Sequence, residues 1–184
     1  MILPTGQWWV SGGRTFPEIY HMDSELVDIG PGPTLPVVKR RHCMTNVNAT
    51  HTLMVGGYDE ARMTSMFDWT TMTWSQKQNL TNPRHIHCCF TLQNTTYVIG
   101  NRLRMEKYSI AEDRWTVVAN PFRRDFAQIV YYGDTVLVIG GRDPDLEVTD
   151  EIYEFDIDSE TWNLRPEKLS IPKRDHLAFE VPLM

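Results

Sequence analysis

Val136-Leu137-Val138-Ile139-Gly140-Gly141 is an apolar run stopped by two glycines, and it is the fourth of its kind in the chain. Trp8-Trp9-Val10-Ser11-Gly12-Gly13, Leu53-Met54-Val55-Gly56-Gly57 and Tyr97-Val98-Ile99-Gly100-Asn101 come before it. Counted from Gly12, the first glycines lie 44, 44 and 40 residues apart. A fixed period in that range marks an array of repeats, each one small antiparallel sheet. The near-continuous apolar character of Val136 to Ile139 fits a strand covered on both faces, as neighbouring sheets would cover it.

Two further markers keep step with the glycines. Aromatic Tyr20, Phe67, Tyr108 and Phe155 follow them at varied distances, and seven residues beyond each aromatic stand Val27, Trp74, Trp115 and Trp162. Short turn-formers fill the interval (Asp23-Ser24-Glu25, Thr70-Thr71, Glu112-Asp113, Asp158-Ser159-Glu160), and their side chains can bond nearby backbone in a tight turn. The constant spacing predicts a hairpin of fixed register, and the variable segment before it a loop. Ahead of each glycine run stand His42, His87 and Phe126, at 14, 13 and 14 residues before Gly56, Gly100 and Gly140, with His176 opening a matching segment near the end. Basic residues precede each of them: Lys39-Arg40-Arg41, Arg84-His85, Arg123-Arg124 and Lys173-Arg174. One repeat therefore reads as four strands.

The diglycine, the later Tyr or Phe, the Trp seven residues on and the Arg or His entry to the next unit resemble kelch repeats over nearly the whole chain. That resemblance implies an all-β, kelch-type β-propeller of four-stranded antiparallel blades, with four repeats present. The approximate repeats are 1–38, 39–82, 83–121 and 122–171, in one array spanning 1–184, and 172–184 supplies the first strand of a further or ring-closing blade. Asn101 stands where the second glycine is expected in the third repeat, and Asn accepts left-handed backbone angles. Val27 replaces the first tryptophan. The family resemblance implies five to seven blades, so a partial or truncated propeller is expected rather than a closed four-bladed ring.

Composition bounds the rest. At 184 residues, 41% hydrophobic and 23% charged, the chain is ordinary for a globular protein. Six tryptophans suit blades that pack face to face. A net charge of −6 argues against general affinity for nucleic acid. No run of 18 apolar residues is present to cross a membrane. The N-terminus lacks a basic leader and a long apolar segment, so it does not read as a secretory signal; the expectation leans to the cytoplasm, with an extracellular location as the alternative.

Three cysteines, Cys43, Cys88 and Cys89, make no disulfide framework. Cys43 and Cys88 occupy matched places and are expected as small buried side chains; a zinc site would need four converging ligands, whereas matched positions fan apart. Asn48-Ala-Thr50, Asn79-Leu-Thr81 and Asn94-Thr-Thr96 are formal glycosylation acceptors, and chance alone supplies about one such match at this composition.

Strand direction places the glycine turns and the blade entries on one face. That face gathers Arg14, Arg102 and Arg142 just after the glycines, with Arg40, Arg41, Arg84, Arg123, Arg124 and Arg174 at the entries. Arginine offers a planar fork to carboxylates, and the kelch resemblance implies adaptor-like members that present such residues to acidic partner segments. The expected function is a non-catalytic protein–protein interaction module, its partner-binding candidates being Arg14, Arg102, Arg142, Arg124 and Arg84. The entry arginines have a competing role in pairing with neighbouring backbone or acids. A secreted or cell-surface glycosylated kelch protein is the alternative function.

Catalytic readings fare worse. Copper oxidases related to kelch repeats need Tyr and His ligands from distant repeats and a Cys joined to Tyr, and no spacing selects His42, His85, His87 and His176 as a set. Asp158-Ser-Glu-Thr-Trp162 matches a sialidase turn only in part. The acidic loop Arg142 to Glu151 fails as an EF-hand, because its sixth position from Asp143 is Val148 rather than Gly. No Ser/His/Asp order or phosphate-cradling loop is present. No catalytic residue, metal site or cofactor is expected.

Overall fold

The computed structural model describes residues 8–11, 19–22, 29–31, 33–101, 103–119, 122–176 and 178, the first three stretches by their backbone alone. Among them the chain is all strand and turn, with no helix. Three strands, β1 (Trp8–Ser11), β2 (Ile19–Met22) and β3 (Ile29–Pro31), form the first sheet. Three four-stranded antiparallel sheets follow. The second holds β4 (Cys43–Asn46), β5 (His51–Val55), β6 (Thr64–Asp68) and β7 (Thr73–Lys77). The third holds β8 (His87–Leu92), β9 (Thr95–Gly100), β10 (Leu103–Ser109) and β11 (Arg114–Val117). The fourth holds β12 (Gln128–Tyr132), β13 (Thr135–Ile139), β14 (Glu151–Asp156) and β15 (Thr161–Lys168). Each sheet is a meander in chain order.

The constant aromatic spacing is the register of the third hairpin of each of these sheets. Phe67 pairs Trp74, Tyr108 pairs Trp115 and Phe155 pairs Trp162. Local chemistry closes the turns: Asp68 Oδ1 accepts from the amides of Thr70 (2.7 Å) and Thr71 (3.3 Å), and Asp156 Oδ1 from those of Asp158 (3.0 Å) and Ser159 (3.2 Å). Each turn ends on a left-handed residue, Met72, Asp113 or Glu160. The first sheet departs from this pattern. Tyr20 pairs Pro31, not Val27, so its hairpin is longer than the seven-residue rule requires; Val27 itself lies outside the described residues.

The core sits between sheets. Phe90 of the third sheet meets Phe155 and Trp162 of the fourth at ring-centroid distances of 5.1 and 5.7 Å. Trp115 of the third reaches back to the second, its indole donating to Thr64 Oγ1 at 3.0 Å, and is buried with Val47, Leu53 and Met66. Trp115 and Trp162 are thus largely buried, whereas Trp74, at the equivalent place, is only half-buried. The seams are also polar: Asp113 accepts from the Gln78 amide across one, and Glu160 from Tyr97 and Lys107 across the next. β15 carries Pro166 on an outermost strand, where no ladder partner needs its missing N–H.

The innermost strands β4, β8 and β12 approach one another. Thr45 Oγ1 lies 3.3 Å from Thr91 Oγ1 and 3.4 Å from Tyr131 Oη, and the Thr91 amide donates to Tyr131 Oη at 2.8 Å. A disulfide joins Cys43 of β4 to Cys89 of β8 across the same seam, with Cα atoms 5.8 Å apart. This corrects the reading that the cysteines make no bridge. Successive residues on a strand face opposite ways. Cys88 therefore faces forward, donating to Ala127 O at 3.0 Å, while Cys89 faces back toward Cys43.

Candidate functional site: the face of the glycine turns

β5, β9 and β13 run toward the glycines, and β4, β8 and β12 start at that same end, so turns and blade entries share one face. The entries repeat four residues at a time: Lys39-Arg40-Arg41-His42, Arg84-His85-Ile86-His87, Arg124-Asp125-Phe126-Ala127 and Lys173-Arg174-Asp175-His176. Strand pairing thus aligns Ala127 with His42 and His87, each residue standing opposite the glycine position of its own sheet. Phe126 belongs one place earlier than the spacing implied.

The first residue of each of the first three quartets works inward, whereas Lys173 is exposed. Lys39 is buried and its ammonium donates to the carbonyls of Gly56, Asp59 and Glu60 at 2.9, 2.8 and 2.8 Å. Desolvation lowers its pKa to about 8, against the pull of Glu60 and Asp59. Arg84 donates to Gly100 O at 2.7 Å, to Arg104 O and to Glu106 Oε1. Arg124 donates to Glu151 Oε2 at 2.8 Å. At the seams the main chain of these entries holds the glycine turns: Gly57 N donates to Arg84 O at 2.9 Å and Gly141 N to Lys173 O at 2.7 Å. Arg84 and Arg124, at 0% and 5% exposure, are therefore braces inside the blades, not groups open to a partner, and their candidacy is corrected.

The third residue of each quartet has a left-handed backbone: Arg41 (φ 55°), Ile86 (57°), Phe126 (54°) and Asp175 (51°). Four non-glycine residues held at such angles are turned from the course of the strands that follow, at a cost of order 1 kcal/mol each. Together with His42 and His87 they line a cavity of about 230 Å³. Such a volume suits one side chain or a small polar group rather than a folded partner. Burial and the Lys39 charge push the His42 pKa down to about 4. His87 is pushed down to about 3, first by burial and then by Arg84, so it is a neutral imidazole. Its Nε2 lies 3.1 Å from Val55 O. A carbonyl only accepts, so Nε2 carries the proton and buried Nδ1 presents a lone pair.

Arg41 and Asp175 bring opposite charges to this cavity, and further cations stand beside Phe126. The guanidinium carbons of Arg142 and Arg174 stand 5.7 and 5.8 Å from the Phe126 ring centroid, flanking it in cation–π range. Arg40 lies over Tyr58 at 4.2 Å, with the His85 ring 5.0 Å from the same tyrosine. Arg41 and Arg174 are exposed and Arg142 is half-buried. Arg142 is thus the sequence-chosen arginine that the structure places on the face. Arg14 and Arg102 lie outside the described residues. The cavity wall of Ile86, Phe126 and Asp175 was missed because its members share no chemistry, only the place before an inner strand. Asn48, Asn79 and Asn94 are all exposed. Of these, Asn48 and Asn94 sit in the hairpins at the far ends of the strands, and Asn79 follows β7 on the glycine-turn side. Among the described residues no group of three His, Cys, Asp or Glu is placed to hold a metal ion, and no helix is long and apolar enough to cross a membrane.

Repeated four-stranded antiparallel sheets packed face to face define a propeller-like repeat protein. No protein-family model and no curated protein matches the chain. Among solved structures it is similar to YjhT, with a TM-score of 0.73 and 13% identity, over 91% of this chain and 64% of that one. At that identity the likeness is one of fold, and the chain spans 64% of the length of YjhT.

Proposed function

We propose that the chain is a kelch-type propeller array acting as a non-catalytic protein-interaction module, whose glycine-turn face holds an acidic segment of a partner. The observation that carries this is the gathering of Arg41, Arg142 and Arg174 around Phe126 and one cavity, in a chain whose net charge is −6. Guanidinium groups braced on an aromatic ring keep their donors free for carboxylates and lose little freedom on binding. Arg14 and Arg102, which match Arg142 in sequence position, belong to this reading as sequence-based candidates. The array is part of a longer propeller, a reading supported by its alignment to only 64% of YjhT.

The test is titration of a fluorescent glutamate-rich peptide into the wild type and the Arg41→Ala/Arg142→Ala/Arg174→Ala variant at two salt concentrations. The wild type should bind more tightly at low salt, and the variant should lose most of that gain, since exposed charge contacts are screened. Stability should change by no more than about 0.5 kcal/mol at each of the two exposed sites, Arg41 and Arg174. Equal binding by both proteins would refute the reading.

A further inference from the structure

The disulfide and the asparagines of the hairpin end point the same way. Cys43 and Cys89 meet only because the second and third sheets pack, so the bridge is a product of the native fold rather than of sequence proximity. Cys89 is buried at 8% exposure, out of easy reach of reductants. The adjacent Cys88 does not compete for the bond: burial pushes its thiol up to about 12, so it stays protonated and unreactive in exchange. Bridges of this structural kind form and persist in oxidising compartments and are rare where thiols are kept reduced.

The opposite end of the blades supplies the second observation. Asn48 stands exposed in the β4–β5 hairpin, its Oδ1 accepting from the amide (2.9 Å) and the hydroxyl (3.1 Å) of Thr50, the third residue of its acceptor triplet. That arrangement engages the amide oxygen of a side chain that is exposed as a whole. Asn94 stands exposed at the same place in the next blade, at the left-handed tip (φ 62°) of the β8–β9 hairpin. Both sites are therefore remote from the arginine face by the length of a strand.

We propose that this chain matures in an oxidising secretory compartment, where Cys43 and Cys89 are joined and the hairpin-end acceptors Asn48 and Asn94 carry N-linked glycans. In the first step the two thiols lose two protons and two electrons to a disulfide-bearing exchange partner, which is reduced to its dithiol. In the second the asparagine amide nitrogen displaces the diphosphate of a polyprenyl-linked oligosaccharide at its first sugar carbon, giving up one proton and forming the N–C bond. The glycans cover the hairpin end and leave the glycine-turn face uncovered, whichever ligand that face takes.

The experiment uses the intact protein from its native source, quenched with an alkylating reagent and digested without reduction. Peptides bearing Cys43 and Cys89 should travel as one linked mass. Glycosidase release in heavy-oxygen water should convert Asn48, Asn94 or both to labelled Asp. Alkylated Cys43 or Cys89, or two bare asparagines, would overturn the proposal.

Discussion

Arg84 and Glu106 form an ion pair of 3.0 Å with both side chains wholly shielded from solvent. The carboxylate is held further by the Thr81 amide at 2.9 Å and by Asn82 at 3.3 Å, while the guanidinium also serves Gly100 O. A buried pair so satisfied ties the blade entry, the glycine turn and β10 into one unit. Removing one partner leaves the other charge buried and uncompensated, which typically costs about 3–5 kcal/mol. Arg84→Met should therefore lower the urea midpoint severely, whereas Arg84→Met with Glu106→Leu should recover much of the loss. An Arg84→Met midpoint equal to that of wild type would show that the pair does not brace the blade.

Trp115 and Trp74 hold equivalent places in adjacent blades but not equivalent surroundings. Trp115 is 5% exposed and bonded to Thr64, and Trp74 is half-buried. Truncation of a buried Trp costs about 3–5 kcal/mol, so Trp115→Ala should depress the thermal midpoint by many degrees and Trp74→Ala by clearly less. Equal losses in paired melts would contradict the seam packing described above.

Two glycines separate backbone strain from crowding. Gly100 has φ 114°, and a Cβ there would come within 2.9 Å of His87 Cα, whereas Gly133 has φ 56° and open space around it. Gly133→Ala should cost about 1 kcal/mol, the left-handed penalty alone. Gly100→Ala should cost more, because the neighbouring main chain must also move. Chemical denaturation of both variants gives the order directly.

Protonation of the inner histidines should destabilise the fold in mild acid. His42 and His87 titrate near 4 and 3 in the native state, below the ordinary value of 6.5. The unfolded chain therefore takes up their protons first as pH falls. Their contribution is complete above about pH 6.5 and declines toward pH 4, at a limiting slope of roughly 1.4 kcal/mol per pH unit for each histidine. Urea midpoints measured from pH 7.5 to 4.5 should fall along this slope. Replacing His87 by Gln should flatten the fall, and an unchanged slope would mean that this imidazole is not held neutral.

The hairpin register was legible in the sequence because it is set locally. Seven residues carry Phe67 to Trp74, Tyr108 to Trp115 and Phe155 to Trp162, and the Asp or Ser that closes each turn lies within four residues of what it bonds. Asn101 was legible for the same reason: it adopts φ 59°, an angle its own side chain tolerates. The first blade escaped the rule because the Tyr20 partner lies eleven residues on, where no spacing pointed.

Contacts between elements distant in the chain decided the rest. The sequence presents Arg84, Arg124 and Arg142 as one class, yet the first two turn inward to Glu106 and Glu151 while Arg142 stacks on Phe126 at the surface. Their partners lie 16 to 27 residues away and are chosen by which strand packs beside the entry. Cys43 and Cys88 likewise match in sequence, but it is Cys89 that faces Cys43, because alternate residues of β8 point to opposite neighbours. A repeat thus fixes by itself what is bonded within a few residues. Whether a charge is buried, a thiol bridged or an imidazole kept neutral depends on strands far along the chain, in the same sheet or the adjoining one, whose nearness in space a one-dimensional pattern does not contain.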